Sequence, residues 1–123
     1  MLECGDRNGI INLTSLDVSK NTALTSLLIY SFRLNSLDVS KNKELKILSV
    51  ENSQLASLDL SKNTVLERLD FSSTRFMGSA LNDLFGTLHS NGGWVRSSNT
   101  YAEEFDRSIV EIAEKKGWTV QVR

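Results

Sequence analysis

Few side chains in this sequence are of types that do chemistry, and their spacing narrows what that chemistry could be. Three aspartates, Asp17, Asp38 and Asp59, recur every 21 residues. Stacked carboxylates could bind calcium, which takes oxygen ligands, but no glycine-rich calcium loop accompanies them. The other reading is structural. Each carboxylate would accept hydrogen bonds from turn N–H groups near Ser19, Ser40 and Ser61, with Lys20, Lys41 and Lys62 close by. The single histidine, His89, lies where a helix is expected to end, and there it suits the helix dipole. Glu51 and Asp70 could face one another across a sheet, although two surface acids are ordinarily just solvated. The sequence has no Gly-x-Ser-x-Gly, His-Glu-x-x-His, Gly-rich phosphate loop or cysteine pair. With one cysteine, Cys4, no disulfide can form within the chain, and the redox compartment stays open. The expectation is therefore of no catalytic residue, no metal ligand, no cofactor and no enzyme.

The elements that must position these residues are set by repetition. LTSLDVSKN starts at Leu13 and returns as LNSLDVSKN at Leu34 and LASLDLSKN at Leu55. Between the copies lie looser relatives: LTSLLIYSF at Leu24, LKILSVENS at Leu45 and LERLDFSST at Leu66. Each half-unit reads L-x-x-L-x-φ, with φ an aliphatic residue or Phe. A fixed period of this length marks a solenoid, in which a coil buries its apolar edge only by stacking on a neighbour. The alternating ends, such as Leu16 and Val18 or Leu27 and Ile29, point both side chains to one face of an extended segment. Two extended edges per coil are thus expected to face each other across a leucine core. Asn21, Asn42 and Asn63 read as turn residues whose amides can bond the backbone of adjacent coils.

This pattern resembles the short bacterial leucine-rich repeat of internalin-like and Bacteroidetes surface proteins, which reads much like LTxLDVSxN-TxLxxL. The resemblance covers about residues 13 to 76. Where many such repeats place an inward Asn, this chain has Phe32, Ser53 and Thr74. The tail is similar to the end of the same proteins in ALNDLFGTL, GGWVRS and DRSIVEIAEKKGWTV, with SSNTYAEEF where the family often has Pro-Gly and Cys. The resemblance implies display on, or secretion from, a bacterium. Residues 1 to 20 lack a secretory signal, so the expectation is either a cytoplasmic protein or a mature or trimmed piece, with an upstream cap missing or trimmed.

Read by its own pattern, the tail predicts a helix begun by Ser79 with Leu81, Leu84, Phe85 and Leu88 on one stripe. A strand follows at Trp94 to Ser97. A second helix starts in a capping box of Thr100 and Glu103 and carries Phe105, Ile109, Ile112 and Ala113 on one face. Lys115 and Lys116 would place charge at its carboxyl end. WTVQV closes the chain as an edge strand, with 24-residue steps from Phe71 to Val95 and from Val95 to Thr119. The fold class expected is α/β: a right-handed leucine-rich repeat solenoid with a parallel sheet and a C-terminal β-α-β-α-β cap. It forms one domain over 1–123, with an irregular first coil (1–12), repeats (13–76) and a helical cap (77–123). In the first coil, Leu2 and Cys4 take the inward positions, making Cys4 a buried thiol.

A net charge of −1 gives no broad field for nucleic acid or an anionic membrane, and no apolar run is long enough to cross a bilayer. What remains is a comparison between the coil's two edges. On one edge the outward columns repeat as Ser15, Ser36 and Ser57, then Asp17, Asp38 and Asp59, which suits a structural task. On the other they vary: Ser26, Ile47 and Arg68; Leu28, Ser49 and Asp70; Tyr30, Glu51 and Ser72. Parallel extension adds Trp94 and Arg96. The candidate binding residues are Leu28, Tyr30, Ile47, Glu51, Arg68, Asp70, Trp94 and Arg96, on a face suited to a protein or other macromolecule. Single exposed apolar residues are also normal, and Trp94 could simply pack on the cap. The rival readings are a structural spacer or terminal segment of a longer solenoid, and a surface hydrolase remnant. The open N-terminal coil also offers an edge through which copies could pair.

Overall fold

The computed structural model describes residues 1–4, 13–31, 33–74, 76, 79–97 and 107–122. Six strands lie side by side in chain order: β1 (Leu2–Cys4), β2 (Ser26–Tyr30), β3 (Ile47–Glu51), β4 (Arg68–Asp70), β5 (Gly93–Ser97) and β6 (Trp118–Val122). Every neighbouring pair is parallel. Helix α1 (Ser79–Gly86) lies in the connection from β4 to β5, and helix α2 (Arg107–Glu114) in that from β5 to β6. The chain is thus α/β with a parallel sheet.

The register follows from the leucines. Leu27, Leu48, Leu69 and Val95 pair in one column, and all four are fully buried. Leu2 and Cys4 take the register of Leu27 and Ile29, the positions expected of them. Val18, Val39 and Leu60 come from the return segments to close the same core. That core gains aromatic rings where the repeats end: Phe71 meets Phe76 and Phe85 edge-on, at centroid distances of 5.5 and 6.2 Å. Leu81, Leu84 and Phe85 turn inward as the helical spacing predicts, while Leu88, expected on the same stripe, is buried beyond the end of α1.

Only one of the two expected extended edges becomes sheet. Residues 13–18, 34–39 and 55–60 form no strand. Their polar positions bond locally: Asp17, Asp38 and Asp59 each accept the N–H two residues on, from Ser19, Ser40 and Ser61, at 2.8–2.9 Å. An N–H engaged this way is withdrawn from any ladder between layers. The next residues make two successive tight turns, the same in each repeat. Asn21, Asn42 and Asn63 donate N–H to Val18, Val39 and Leu60, while Leu24, Leu45 and Leu66 donate to the three Asn carbonyls.

These turns also set a pH dependence. Hydrogen bonds from the hydroxyl and then the N–H of Ser19, Ser40 and Ser61 hold the three carboxyls below the usual aspartate range. A folded value below the unfolded one contributes stability above the unfolded value and loses it as pH falls through the folded value. Stability is expected to decline on acidification below about pH 4. Changing Asp17, Asp38 and Asp59 together to Asn keeps an oxygen acceptor in each turn. It should flatten that limb in urea titrations run at a series of pH values.

The asparagine column bonds in one direction. Asn42 Nδ2 donates to Val18 O and Asn21 O at 3.0 and 2.9 Å, and Asn63 Nδ2 donates to Val39 O and Asn42 O at 3.0 and 2.9 Å. Both are fully buried, whereas Asn21 is exposed. The later layers continue the same direction with other residues. His89 Nε2 contacts Leu66 O at 2.6 Å, and Trp118 Nε1 donates to His89 O at 2.8 Å. Lys116 Nζ donates to Gly86 O and Leu88 O at 2.6 and 2.8 Å.

The tail departs from expectation in three places. Val95 pairs with Leu69 and Val120, so the sheet does not take the two 24-residue steps from Phe71 and to Thr119. A one-residue slip reverses the face, and the true register keeps Thr119 outward. His89 lies past α1, and its ring bridges layers instead of serving the helix end. The Lys116 side chain donates to carbonyls at and just past the end of α1, not to those of its own helix, because stacking brings the two chain segments together. The capping box of Thr100 and Glu103, Phe105, and the side chain of Cys4 lie outside the described residues, as do residues 5–12 and Phe32.

Candidate functional site

The outward side of the sheet is built by the pleat, since residues two apart on a strand share a face. Register then aligns columns across strands. Ser26, Ile47, Arg68, Trp94 and Thr119 form one row, and Leu28, Ser49, Asp70, Arg96 and Gln121 the next. Tyr30 stands beside Glu51. Parallel extension adds Trp94 and Arg96 to this face as expected, but beside Arg68 and Asp70, not beside the Asp70 and Ser72 that a Phe71–Val95 register would give them.

Exposure divides the eight candidates. Arg68, Trp94 and Arg96 are exposed, and Leu28, Ile47 and Glu51 are half-buried. Tyr30 and Asp70 are buried, at 7% and 4% exposure, which differs from the open surface expected of them. Tyr30 sits at the carboxyl end of β2, one residue before the chain leaves the strand, where covering a large ring is more favourable than solvating it. Asp70 is drawn inward by its own neighbour: Oδ1 accepts from the Ser72 hydroxyl at 2.9 Å and from the Ser72 N–H at 3.3 Å. A buried carboxylate needs such donors. Glu51 and Asp70 do not pair with one another in register, since Asp70 lies opposite Ser49 and Glu51 opposite Tyr30.

Two depressions open on this face. One, of about 430 Å³, is lined by Arg68, Trp94, Val95, Arg96 and Gln121. The other, of about 310 Å³, is lined by Glu51, Asn52, Asp70, Ser72 and Arg96. Gln121, Asn52 and Ser72 join the site without having been singled out among the candidates. The alternation of WTVQV carries the signal for Gln121, which must face opposite to Trp118 and Val120. Asn52 has a positive φ of 56°, matched 21 residues later by Ser73 at the same value. Asn tolerates that conformation better than most side chains, and it turns the chain sharply at the end of β3.

Elsewhere the single histidine is engaged in structure. Both ring nitrogens of His89 have partners: Nε2 with Leu66 O, and Nδ1 as acceptor of the Asn91 N–H at 3.1 Å. A groove of about 730 Å³ beside α1 mixes Asp38, Asp59 and Asp83 with serines, leucines and alanines in its lining. Among the described residues, no group of three or more His, Cys, Asp or Glu is placed to hold a metal ion. Among them, too, no helix is long and apolar enough to cross a membrane. No protein-family model matches the chain, and no curated protein shows significant similarity to it.

Proposed function

We propose that the chain is a leucine-rich repeat module that binds another macromolecule on the outward face of its sheet, without a cofactor and without catalysis. The observation that carries this reading is Trp94, 55% exposed on the outward face of β5, with a strand on either side. Among the described residues the other exposed large apolar side chains are Met1, which precedes β1, and Val65, which lies outside the strands. Trp94 stands between Arg68 and Arg96, and no described carboxylate forms an ion pair with either arginine. An aromatic ring and arginines on a rigid support are the residue types that dominate binding surfaces. The 21-residue period, the parallel register and the one-way asparagine column support the solenoid reading, with α1 and α2 as its cap. The sequence resemblance adds a bacterial surface or secreted setting.

The test compares the chain with Arg68→Ser/Trp94→Ser/Arg96→Ser in pull-downs from bacterial surface and host extracts. All three side chains are exposed, so the variant should fold with stability within about 1 kcal/mol of the parent. A partner held by the parent and lost by the equally folded variant is the expected result. Retention of the same partner by both, or of none by either, would favour a structural spacer.

A further inference from the structure

The two depressions on the outward face differ in charge, and they share Arg96. The larger presents two guanidiniums, an indole and an amide around Val95, with no carboxylate in its lining. The smaller presents Glu51 and Asp70 with Arg96. Arg68 lies opposite Trp94 and Asp70 opposite Arg96, so the two arginines stand on adjacent strands, offset by one pleat repeat. That places their Cα atoms about 4.8 Å apart across the sheet and about 6.6 Å along it. Two long side chains at this offset can converge on one small anion above Val95.

The nearby acids do not meet that need. Glu67, next to Arg68 in sequence, pairs with Lys46 at 3.6 Å. Asp70 is buried, with Oδ1 taken up by Ser72. Glu51 is half-buried and accepts from the Ser49 hydroxyl at 3.5 Å. An arginine fork matches a carboxylate in shape and charge, and the indole between the arginines offers a flat apolar rest for a neighbouring group. Half-buried Ile47 and Leu28 extend the apolar surface away from the depression. This favours amino-acid side chains over the hydroxyl-rich rim of a sugar.

Resting on the reading of this face as the binding surface, we infer that its partner is a peptide segment bearing an Asp or Glu carboxylate. The carboxylate sits between Arg68 and Arg96, and an adjacent apolar or aromatic side chain lies on Trp94. Glu51 and Asp70 on the far side of Arg96 disfavour a second acid there, which orients the segment.

The experiment is selection of random dodecapeptides displayed on phage against the intact chain. Synthetic copies of the enriched peptides are then titrated against the parent, Arg68→Ser/Arg96→Ser and Trp94→Ser, with oligomers of a uronic acid as a separate arm. Enriched peptides should carry Asp or Glu beside an apolar or aromatic residue. Their affinity should fall roughly tenfold or more with the double arginine change, or when the acid becomes its amide. It should also weaken with salt. Peptides that depend on Trp94 but ignore both charge changes would overturn the carboxylate while leaving the face as the binding surface. Uronic acid bound in place of any peptide would overturn the peptide class. Peptides insensitive to all three substitutions would sink both the inference and the reading beneath it, and a failure to enrich any peptide would overturn the inference alone.

Discussion

Gly93→Ala is expected to cost the protein about 3 kcal/mol or more, although it adds one methyl group and strains no backbone angle. A Cβ at Gly93 would stand 2.5 Å from Trp118 Cζ3, 2.8 Å from Cη2 and 2.7 Å from Glu67 O. Neither neighbour can yield easily. The Trp118 indole is nearly fully buried, held by its bond to His89 O, and its ring lies 5.1 Å from the His89 ring. Glu67 O accepts the Trp94 N–H at 2.8 Å, and Glu67 N–H itself donates to Lys46 O at 2.8 Å, so this backbone just before β4 is held on both sides. Thermal unfolding should fall by about 10 °C or more. In a Trp94→Phe background, emission should report an indole moved toward water. Gly86→Ala is the control: a Cβ there meets nothing within 4 Å, so its effect should stay within about 0.5 kcal/mol. Equal effects at the two glycines would contradict the packing of Trp118 beneath β5.

Asn63→Asp should be at least as damaging, by about 4 kcal/mol or more at neutral pH. Asn63 is fully buried, and its Nδ2 supplies both bonds to the preceding layer, at Val39 O and Asn42 O. A carboxylate would set negative oxygen against two carbonyl oxygens in a site closed to water. Burial and the facing acceptors would raise the folded pKa of this new carboxyl above the unfolded value of about 4. The penalty therefore grows as pH rises through and above the unfolded value. It shrinks on acidification, because the protonated acid can donate to one carbonyl. This is opposite in sign to the Asp17, Asp38 and Asp59 turns, so the two effects separate in one set of denaturation curves run across pH. Asn21→Asp, at the exposed member of the same column, should change stability by less than about 0.5 kcal/mol. An Asn63→Asp protein no weaker than Asn21→Asp would show that the column does not hold the layers.

Much of this was legible because the repeat makes the same local demand three times. The S-K-N turn recurs since each Asn and each following Leu makes the same pair of backbone bonds. The inward columns follow from alternation, and the addition of Trp94 and Arg96 to the outward face from parallel extension; their partners Arg68 and Asp70 did not, because the 24-residue step placed Val95 at Phe71 and not at Leu69. Exposure was less legible. Alternation says that Tyr30, Asp70 and Arg96 face outward together, but whether an outward side chain is open depends on what lies beside it. Ser72 folds Asp70 inward, and Tyr30 is buried at the end of β2, while Arg96 is left to solvent.

By itself, then, the sequence determined the period, the inward leucines, the parallel order of the strands and the helical faces of the tail. Each of these is a property of residues a few positions apart, repeated at a constant step. Only the tertiary structure decided that one edge of the layer becomes sheet while the other spends its N–H groups on aspartates. It also decided that Lys116, His89 and Trp118 continue the direction of the asparagine column, and that Trp118 occupies the space Gly93 leaves. Hydrogen bonds between successive units join residues 18 to 30 positions apart, so a shift of a single residue in stacking would give each donor a different partner. That shift is set by packing over the whole stack, not by any local stretch of the chain.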